Sequence, residues 1–298
     1  LKRLTDYILK NDFDEIVLID FPGFNLRLSK RLKKLNSKLK ITYLSPPQVW
    51  IWGRWRIRKL KRYCDRLIVL YPFEVEWYKK YGIKAEFLGN PACSELKLYF
   101  QKDLNALVKL RKDVNQIAIL PASRDSEMKK LFPIFAEVVK RIKLVYPRVK
   151  IVLPLAKTIS SSLVETKLRE FGLWGWGRDI VIVQGEEEKL KALNSCCLAI
   201  TKPGTVTLQL ALLGIPAVVL YKTSWITYLL AKMVVNVKYM SLPNLFLPKP
   251  VYKEFIQGNC KVDPVFSYTS DLYKSFLLGQ GEYTKQLYEL TQLKDILC

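Results

Sequence analysis

Histidine is absent from this 298-residue chain, so its acid–base chemistry falls to Asp, Glu, Lys or Tyr. Triads and metal sites built on imidazole are excluded. The reactive residue types that remain cluster where apolar runs end. In Ile19-Asp20-Phe21-Pro22-Gly23-Phe24-Asn25 a carboxylate stands at the end of a strand pattern. In Leu120-Pro121-Ala122-Ser123-Arg124, a hydroxyl and a guanidinium precede a long helical pattern. In Thr201-Lys202-Pro203-Gly204-Thr205, Gly204 permits close approach of the backbone to a ligand and Thr205 can cap the helix that follows. A helix N-terminus there offers unpaired N–H groups and a partial positive charge, which suit a diphosphate. The same segment also reads as an ordinary connection in any Rossmann-like domain.

These loops need a scaffold, and the pattern supplies one. Strands are expected at Glu15–Ile19, Ile41–Leu44, Leu67–Leu70 and Ala85–Leu88, with helices near Arg54–Tyr63 and Glu74–Tyr81 between them. The alternation restarts with strands at Ile117–Leu120, Lys150–Leu153, Ile180–Val183 and Cys197–Ile200, and with helices from Ser126 to Val145 and from Ser161 to Phe171. Short βα repeats imply parallel sheets with right-handed crossovers. The expected organisation is α/β: a Rossmann-like domain over 1–112, a second over 113–245, and a helical tail over 246–298. Ligands in such folds sit beyond the carboxyl ends of the strands, which is where the reactive loops fall.

Composition narrows the partners. The net charge is +22, and residues 27–66 hold fourteen Lys or Arg against one acid, Asp65. Such a field attracts phosphates on nucleotides, nucleic acid or anionic lipid. No recognition-helix, zinc-finger or RNA-motif signature accompanies it, so no specific nucleic-acid partner is expected. Trp50, Trp52 and Trp55, interleaved with Arg54, Arg56 and Arg58, fit a membrane-facing surface; they fit core packing equally well. Adjacent Cys196 and Cys197 sit in an apolar run and read as reduced core residues, which argues for a reducing compartment and against structural zinc. No segment reads as a membrane span.

Six motifs in chain order give the sequence a resemblance to the lipid-A-disaccharide synthase family of inverting, GT-B-type glycosyltransferases. They are Ile19–Asn25, Ser45–Trp52, Pro72-Phe73-Glu74, Leu120–Arg124, Gly204–Gln209 and Ser241–Leu245. The resemblance implies transfer of 2,3-diacylglucosamine from UDP to the 6-hydroxyl of 2,3-diacylglucosamine 1-phosphate. It implies no cofactor and no metal, since the UDP-sugar is itself a substrate. Asp20 would be the base and Asn25 would support its loop, although Asp20 could instead cap the next helix. Arg124, with Ser123, would neutralise diphosphate, unless it pairs with Glu127. Gly204 and Thr205 would contact phosphate, Gln209 the ribose hydroxyls, and Asn244 the nucleotide or sugar.

The resemblance also implies a peripheral position on the cytoplasmic face of the inner membrane of a Gram-negative-type bacterium, and it permits a homodimer through the C-terminal region. Departures stand at Gln209 and Asn90, where the family has Glu and His, and at Ala122, where it has Gly. The family's first strand and its Gly-Glu-x-Ser-Gly-Asp loop find no match, so a preceding segment is expected. Two alternatives stay open: another UDP-sugar GT-B enzyme, and a non-catalytic relative that binds only nucleotide or membrane.

Overall fold

The computed structural model describes residues 1–100, 114–174, 179–235 and 237–298. The chain divides into two compact units. The first comprises Leu1–Ser94, Ala231–Asn236 and Ile296–Cys298; the second comprises Glu95–Leu230 and Val237–Asp295. The division expected at 112/113 falls outside the described residues.

The first unit opens with helix α1 (Lys2–Lys10), followed by β1 (Glu15–Ile19), α2 (Pro22–Leu35), β2 (Lys40–Leu44), α3 (Ile57–Tyr63), β3 (Arg66–Val69), α4 (Phe73–Lys79), β4 (Ala85–Phe87) and the start of α5 (Pro91–Phe100), whose residues from Glu95 belong to the second unit. Its four strands are parallel and lie in sequence order, with Glu15 opposite Lys40 and Leu67 opposite Ala85. Sequential order with right-handed crossovers follows from short βα connections. Leu28 and Leu32 of α2 and Leu60 of α3 bury their side chains with Ile41, Tyr43 and Leu67 of the sheet. The lysines and arginines between those leucines fall on the outer faces, as the 3.6-residue period requires.

The second unit carries β5 (Gln116–Leu120), α6 (Asp125–Val145), β6 (Lys150–Pro154), α7 (Ser161–Glu170), β7 (Ile180–Val183), α8 (Glu186–Asn194), β8 (Leu198–Thr201), α9 (Thr205–Leu212), β9 (Ala217–Tyr221), α10 (Trp225–Val234) as far as Leu230, α11 (Leu242–Phe246), β10 (Lys253–Ile256), α12 (Val262–Leu278) and α13 (Glu282–Leu297) as far as Asp295. The parallel sheet has the order β10-β9-β8-β5-β6-β7. The chain therefore reverses direction across the sheet between β5 and β8, which is where a doubly wound fold leaves its ligand crevice. Strand β8 is buried along its whole length and β9 along all but its last residue, as their unbroken apolar runs demand. Helix α6 buries Met128, Leu131, Phe135, Val138 and Ile142, one stripe at helical spacing.

Two elements were not legible. The region after residue 246 reads as helical tail, yet Lys253–Ile256 adds an edge strand parallel to β9. Four residues behind Pro248 and Pro250 carry too little alternation to stand out from a loop. Helix α5 is the second. Its Cys93 forms a disulfide with Cys298, with Cα atoms 5.7 Å apart, a pairing that no spacing in the sequence announces. Cys64, Cys196, Cys197 and Cys260 are buried outside any disulfide.

Candidate functional site

The crevice at the β5/β8 reversal holds a cavity of about 280 Å³. Its walls come from the loops that leave three adjacent strands: Leu120, Ala122 and Ser123 after β5, Pro154 and Ala156 at the end of β6, and Lys202 and Gly204 after β8. Thr205, Val206 and Gln209 of α9 and Glu186 and Lys189 of α8 complete it.

Gly204 is the N-cap of α9 and has φ +150 and ψ −173. That conformation is essentially reserved for glycine, so the residue type is dictated by the turn. Thr205 is the first helical residue rather than the cap, because Gly204 already occupies the cap position. No side chain caps this end. Thr207 folds its hydroxyl back onto the Gly204 carbonyl at 2.7 Å, fixing the turn without covering the leading amides. An uncapped helix start at a strand-end crevice is a ready anion site.

Lys202 and Lys189 bring positive charge to the cavity, and each is already paired. Lys202 lies 3.1 Å from Glu127, and Lys189 bonds Glu186. Glu127 also accepts the Ser123 amide at 3.0 Å. Burial pushes its carboxyl up, but the Ser123 amide and Lys202 outweigh it and hold Glu127 below the ordinary carboxylate range. The Ser123 N–H is thus engaged within the chain. Arg124 is the N-cap of α6, exposed, and absent from the cavity wall. The cations at the cavity are Lys202 and Lys189, which the sequence reading missed. Lys202 could have been found from its place between β8 and the Pro-Gly turn; Lys189, inside a helix, gives no such signal.

Gln209 lines the same cavity and is buried, and its Nε2 donates to Glu95 at 2.9 Å. The amide therefore carries a carboxylate with it, from a residue 114 positions earlier. Asn244 is placed differently. It is buried, donates to the Tyr252 carbonyl and to Glu254, and accepts the amides of Val251 and Tyr252, each at 2.8 Å. Those four bonds use the full capacity of its amide. In this arrangement Asn244, expected to lie near the nucleotide or sugar, forms a structural clamp that ties α11 to the segment leading into β10. Glu254 completes the clamp by accepting the Met240 and Ser241 amides and the Ser241 hydroxyl.

In the first unit, Asp20 sits at the end of β1 with its side chain exposed. Asp20 and Phe21 both have left-handed backbones, φ +44 and +42. Two successive non-glycine residues in that region are strained. The turn is held by bonds to its carbonyls: Asn25 Nδ2 donates to Ile19 at 2.9 Å and to Asp20 at 2.7 Å, and Tyr43 donates to Asp20 at 2.7 Å. Asn25 orders the loop, as the sequence suggested. Asp20 does not cap α2, whose N-cap is Phe21 without a side-chain bond.

The tryptophan-rich segment divides. Trp50 is buried, donates its indole N–H to Glu74 at 2.8 Å and packs edge-on against Phe73. It is not a membrane-facing residue, because a buried carboxylate 24 positions on supplies its acceptor. Glu74 also accepts the amides of Leu70 and Tyr71, both at 3.1 Å; burial pushes its carboxyl up to about 7 against those three bonds. Trp52 and Trp55 remain exposed, with the Arg56 guanidinium stacked 4.2 Å over Trp52. Arg54 and Arg58 are exposed and Arg56 is half-buried. Asn90, the departure from the family's His, donates to the Leu70 carbonyl at 3.0 Å and accepts the Ala92 amide at 2.9 Å, holding the turn into α5.

The architecture is shared with solved sugar-nucleotide enzymes. The S. aureus MnaA–UDP co-structure superposes with TM-score 0.61 at 11% identity, covering 97% of this chain and 72% of that one. At such identity the likeness concerns the GT-B-type fold alone. Sequence relatives are nearer. The lipid-A-disaccharide synthase of Trichlorobacter lovleyi is 34% identical over 88% of this chain and 67% of its own length. That of Coxiella burnetii is 31% identical over 96% of this chain and 75% of its own length. The chain thus spans about two thirds to three quarters of these relatives. The family model for lipid-A-disaccharide synthetase matches residues 1–291, so the chain belongs to that family.

Proposed function

We propose that this chain transfers a 2,3-diacylglucosamine unit from UDP to 2,3-diacylglucosamine 1-phosphate with inversion, releasing UDP and leaving a β-1,6 disaccharide 1-phosphate. The observation that carries the nucleotide half of this reading is the cavity at the β5/β8 reversal, with Gly204, the uncapped start of α9, Lys202 and Lys189 around it. A diphosphate there would accept the leading amides of α9. It would also draw the two lysines from their carboxylate partners, so the charge developing on departing UDP meets cations already in place. The Gln209–Glu95 pair offers acceptors suited to the vicinal hydroxyls of a ribose.

The acceptor half rests on Asp20. An exposed carboxylate on a strained, triply bonded turn is preorganised to take a proton from a hydroxyl as it attacks the anomeric carbon. Transfer then breaks the bond to the diphosphate oxygen from the opposite face, which gives the inverted product. Arg124, exposed at the start of α6, would add to phosphate neutralisation only by reorienting toward the cavity.

The test is UDP release from UDP-2,3-diacylglucosamine by purified protein, with and without 2,3-diacylglucosamine 1-phosphate. Acceptor-dependent release that disappears in Asp20→Ala while UDP still binds supports the reading. UDP binding without release, repeated with a chain extended at its N-terminus, would leave a nucleotide-binding relative that does no chemistry.

A further inference from the structure

Arg56 belongs to the short turn Arg54–Arg56 that ends the loop after β2. Its guanidinium is held by rings rather than by acids. It lies 4.2 Å over the centre of the Trp52 ring and 5.8 Å from that of Trp55, and the two indoles meet edge-on at 5.9 Å. It also rests against Gly53, where an added Cβ would stand 3.6 Å from the guanidinium carbon. Among the described residues this guanidinium donates no hydrogen bond and joins no ion pair. Arg66 and Arg141, by contrast, are engaged with Glu86 and Asp263. A stacked guanidinium is already oriented, and its fork matches phosphate oxygens two at a time. Held this way and left without a carboxylate, Arg56 is arranged to receive an anion.

Its place in the first unit says which anion. Strands β1 and β2 are parallel neighbours, so Asp20 and the loop that leads to Arg56 leave the same edge of the sheet. Tyr43 of β2 links them. Its hydroxyl donates to the Asp20 carbonyl at 2.7 Å. Burial raises this phenol well above its usual range and the charges of Cys64 and Asp20 add to the rise, while the Asn25 amide and the Arg56 guanidinium oppose it. Asp20 and Arg56 therefore both act on one hydroxyl. A hexose 1-phosphate carries its phosphate and its 6-hydroxyl on the two carbons' branches that flank the ring oxygen. A carboxylate and a guanidinium around one tyrosine suit such a molecule, the first taking the hydroxyl proton and the second holding the phosphate. The diphosphate of the donor has cations of its own, Lys202 and Lys189, in the second unit. We propose that Arg56 holds the 1-phosphate of the acceptor, selecting it and bringing its 6-hydroxyl to Asp20. This inference rests on the glycosyl-transfer reading and adds to it the residue that recognises the acceptor.

The experiment measures acceptor-dependent UDP release in detergent micelles free of phospholipid, with 2,3-diacylglucosamine 1-phosphate and with its 1-O-methyl counterpart. The parent is expected to favour the phosphate by about tenfold or more in kcat/KM. Arg56→Met should raise KM for the phosphorylated acceptor about tenfold or more with kcat within about threefold, and should erase the preference. Arg56→Lys, which keeps the charge without the fork, should fall between the two. Trp52→Leu, which frees the guanidinium, should raise the same KM about threefold, and it takes the place of Arg56→Met should that variant unfold. Arg58→Met, on an exposed neighbour, should match the parent. A phosphorus NMR titration of the phosphorylated acceptor in the same micelles reads binding without turnover. Binding that Arg56→Met weakens, with no UDP release from any chain, supports the phosphate site and overturns the transfer reading instead. Transfer whose preference for the phosphate survives in Arg56→Met overturns the proposal, as does an equal effect of Arg58→Met. Phosphatidylglycerol that displaces the acceptor from the parent but not from Arg56→Met also overturns it, in favour of a lipid headgroup as the occupant.

Discussion

Gln209 is the most informative position to perturb, because its neighbour sets the sign of the effect. Its Nε2 lies 2.9 Å from a Glu95 oxygen, and Gln209 is buried while Glu95 is half-covered. In Gln209→Glu the donor becomes a second carboxylate. Two unit charges about 4 Å apart at an effective dielectric of about 20 repel by about 4 kcal/mol. Protonating one of them instead costs about 4 kcal/mol at pH 7.5 and about 1 kcal/mol at pH 5. Partial exposure of Glu95 screens the repulsion to roughly half, so the expected loss at pH 7.5 is about 2 kcal/mol, plus about 1 kcal/mol for the lost hydrogen bond. At pH 5 a shared proton restores a bond between the two carboxyls, and the loss shrinks to about 1 kcal/mol. The exchange Glu95→Gln/Gln209→Glu reverses donor and acceptor and should return within about 0.5 kcal/mol of the parent. Urea unfolding of the full chain at both pH values measures all four corners of the cycle. An equal loss at pH 5 and pH 7.5, or a double variant no better than Gln209→Glu, would refute the pairing of Gln209 with Glu95.

Four further outcomes follow from the geometry. Asp20→Gly relieves one left-handed residue, so it should raise stability by about 1 kcal/mol while abolishing acceptor-dependent UDP release; a destabilised variant would show that the turn is not strained. Lys202→Met should weaken UDP binding about tenfold by titration calorimetry, and unchanged affinity would remove Lys202 from the anion site. Asn244→Ala, which severs four bonds in a buried clamp, should lower stability by about 3 kcal/mol yet leave UDP affinity unaltered; a selective loss of affinity would restore Asn244 to the ligand. Burial raises the Glu74 carboxyl from 4.5 to about 7, so between those values the native state holds a proton that the unfolded chain has released. Stability should therefore fall as pH rises through that window, by about 3 kcal/mol in all, and Glu74→Gln should flatten this fall in thermal unfolding curves.

The strand-end loops were readable because their cause is local. Gly204 before an apolar helix, and Asp20 after an apolar run, follow from backbone rules that act within a few residues. The alternating βα pattern gave the fold class for the same reason. What escaped was set by partners distant in sequence. Trp50 in a basic, tryptophan-rich run looks interfacial until Glu74 supplies a buried acceptor. Asn244 looks like a ligand residue until Val251, Tyr252 and Glu254 fold onto it with four bonds. Nothing near Gln209 announces Glu95.

The resting cavity has a consequence for affinity. Both of its lysines are neutralised before any ligand arrives, Lys202 by Glu127 and Lys189 by Glu186. A diphosphate must break at least one of those pairs, and the displaced carboxylate must then find water or another donor. Glu127 can stay near the cavity, because the Ser123 amide holds it, so its charge continues to oppose the ligand. Removing that charge should strengthen diphosphate binding even though it deletes an ion pair. Glu127→Gln is accordingly expected to tighten UDP binding about threefold to tenfold, an increment of about 1 kcal/mol. A variant that binds UDP more weakly would mean that Glu127 serves chiefly to hold Lys202 and the Ser123 loop in place. Isothermal titration of the parent and Glu127→Gln with UDP, at low and high salt, separates the two roles: relief of repulsion fades as salt rises, whereas loss of positioning does not.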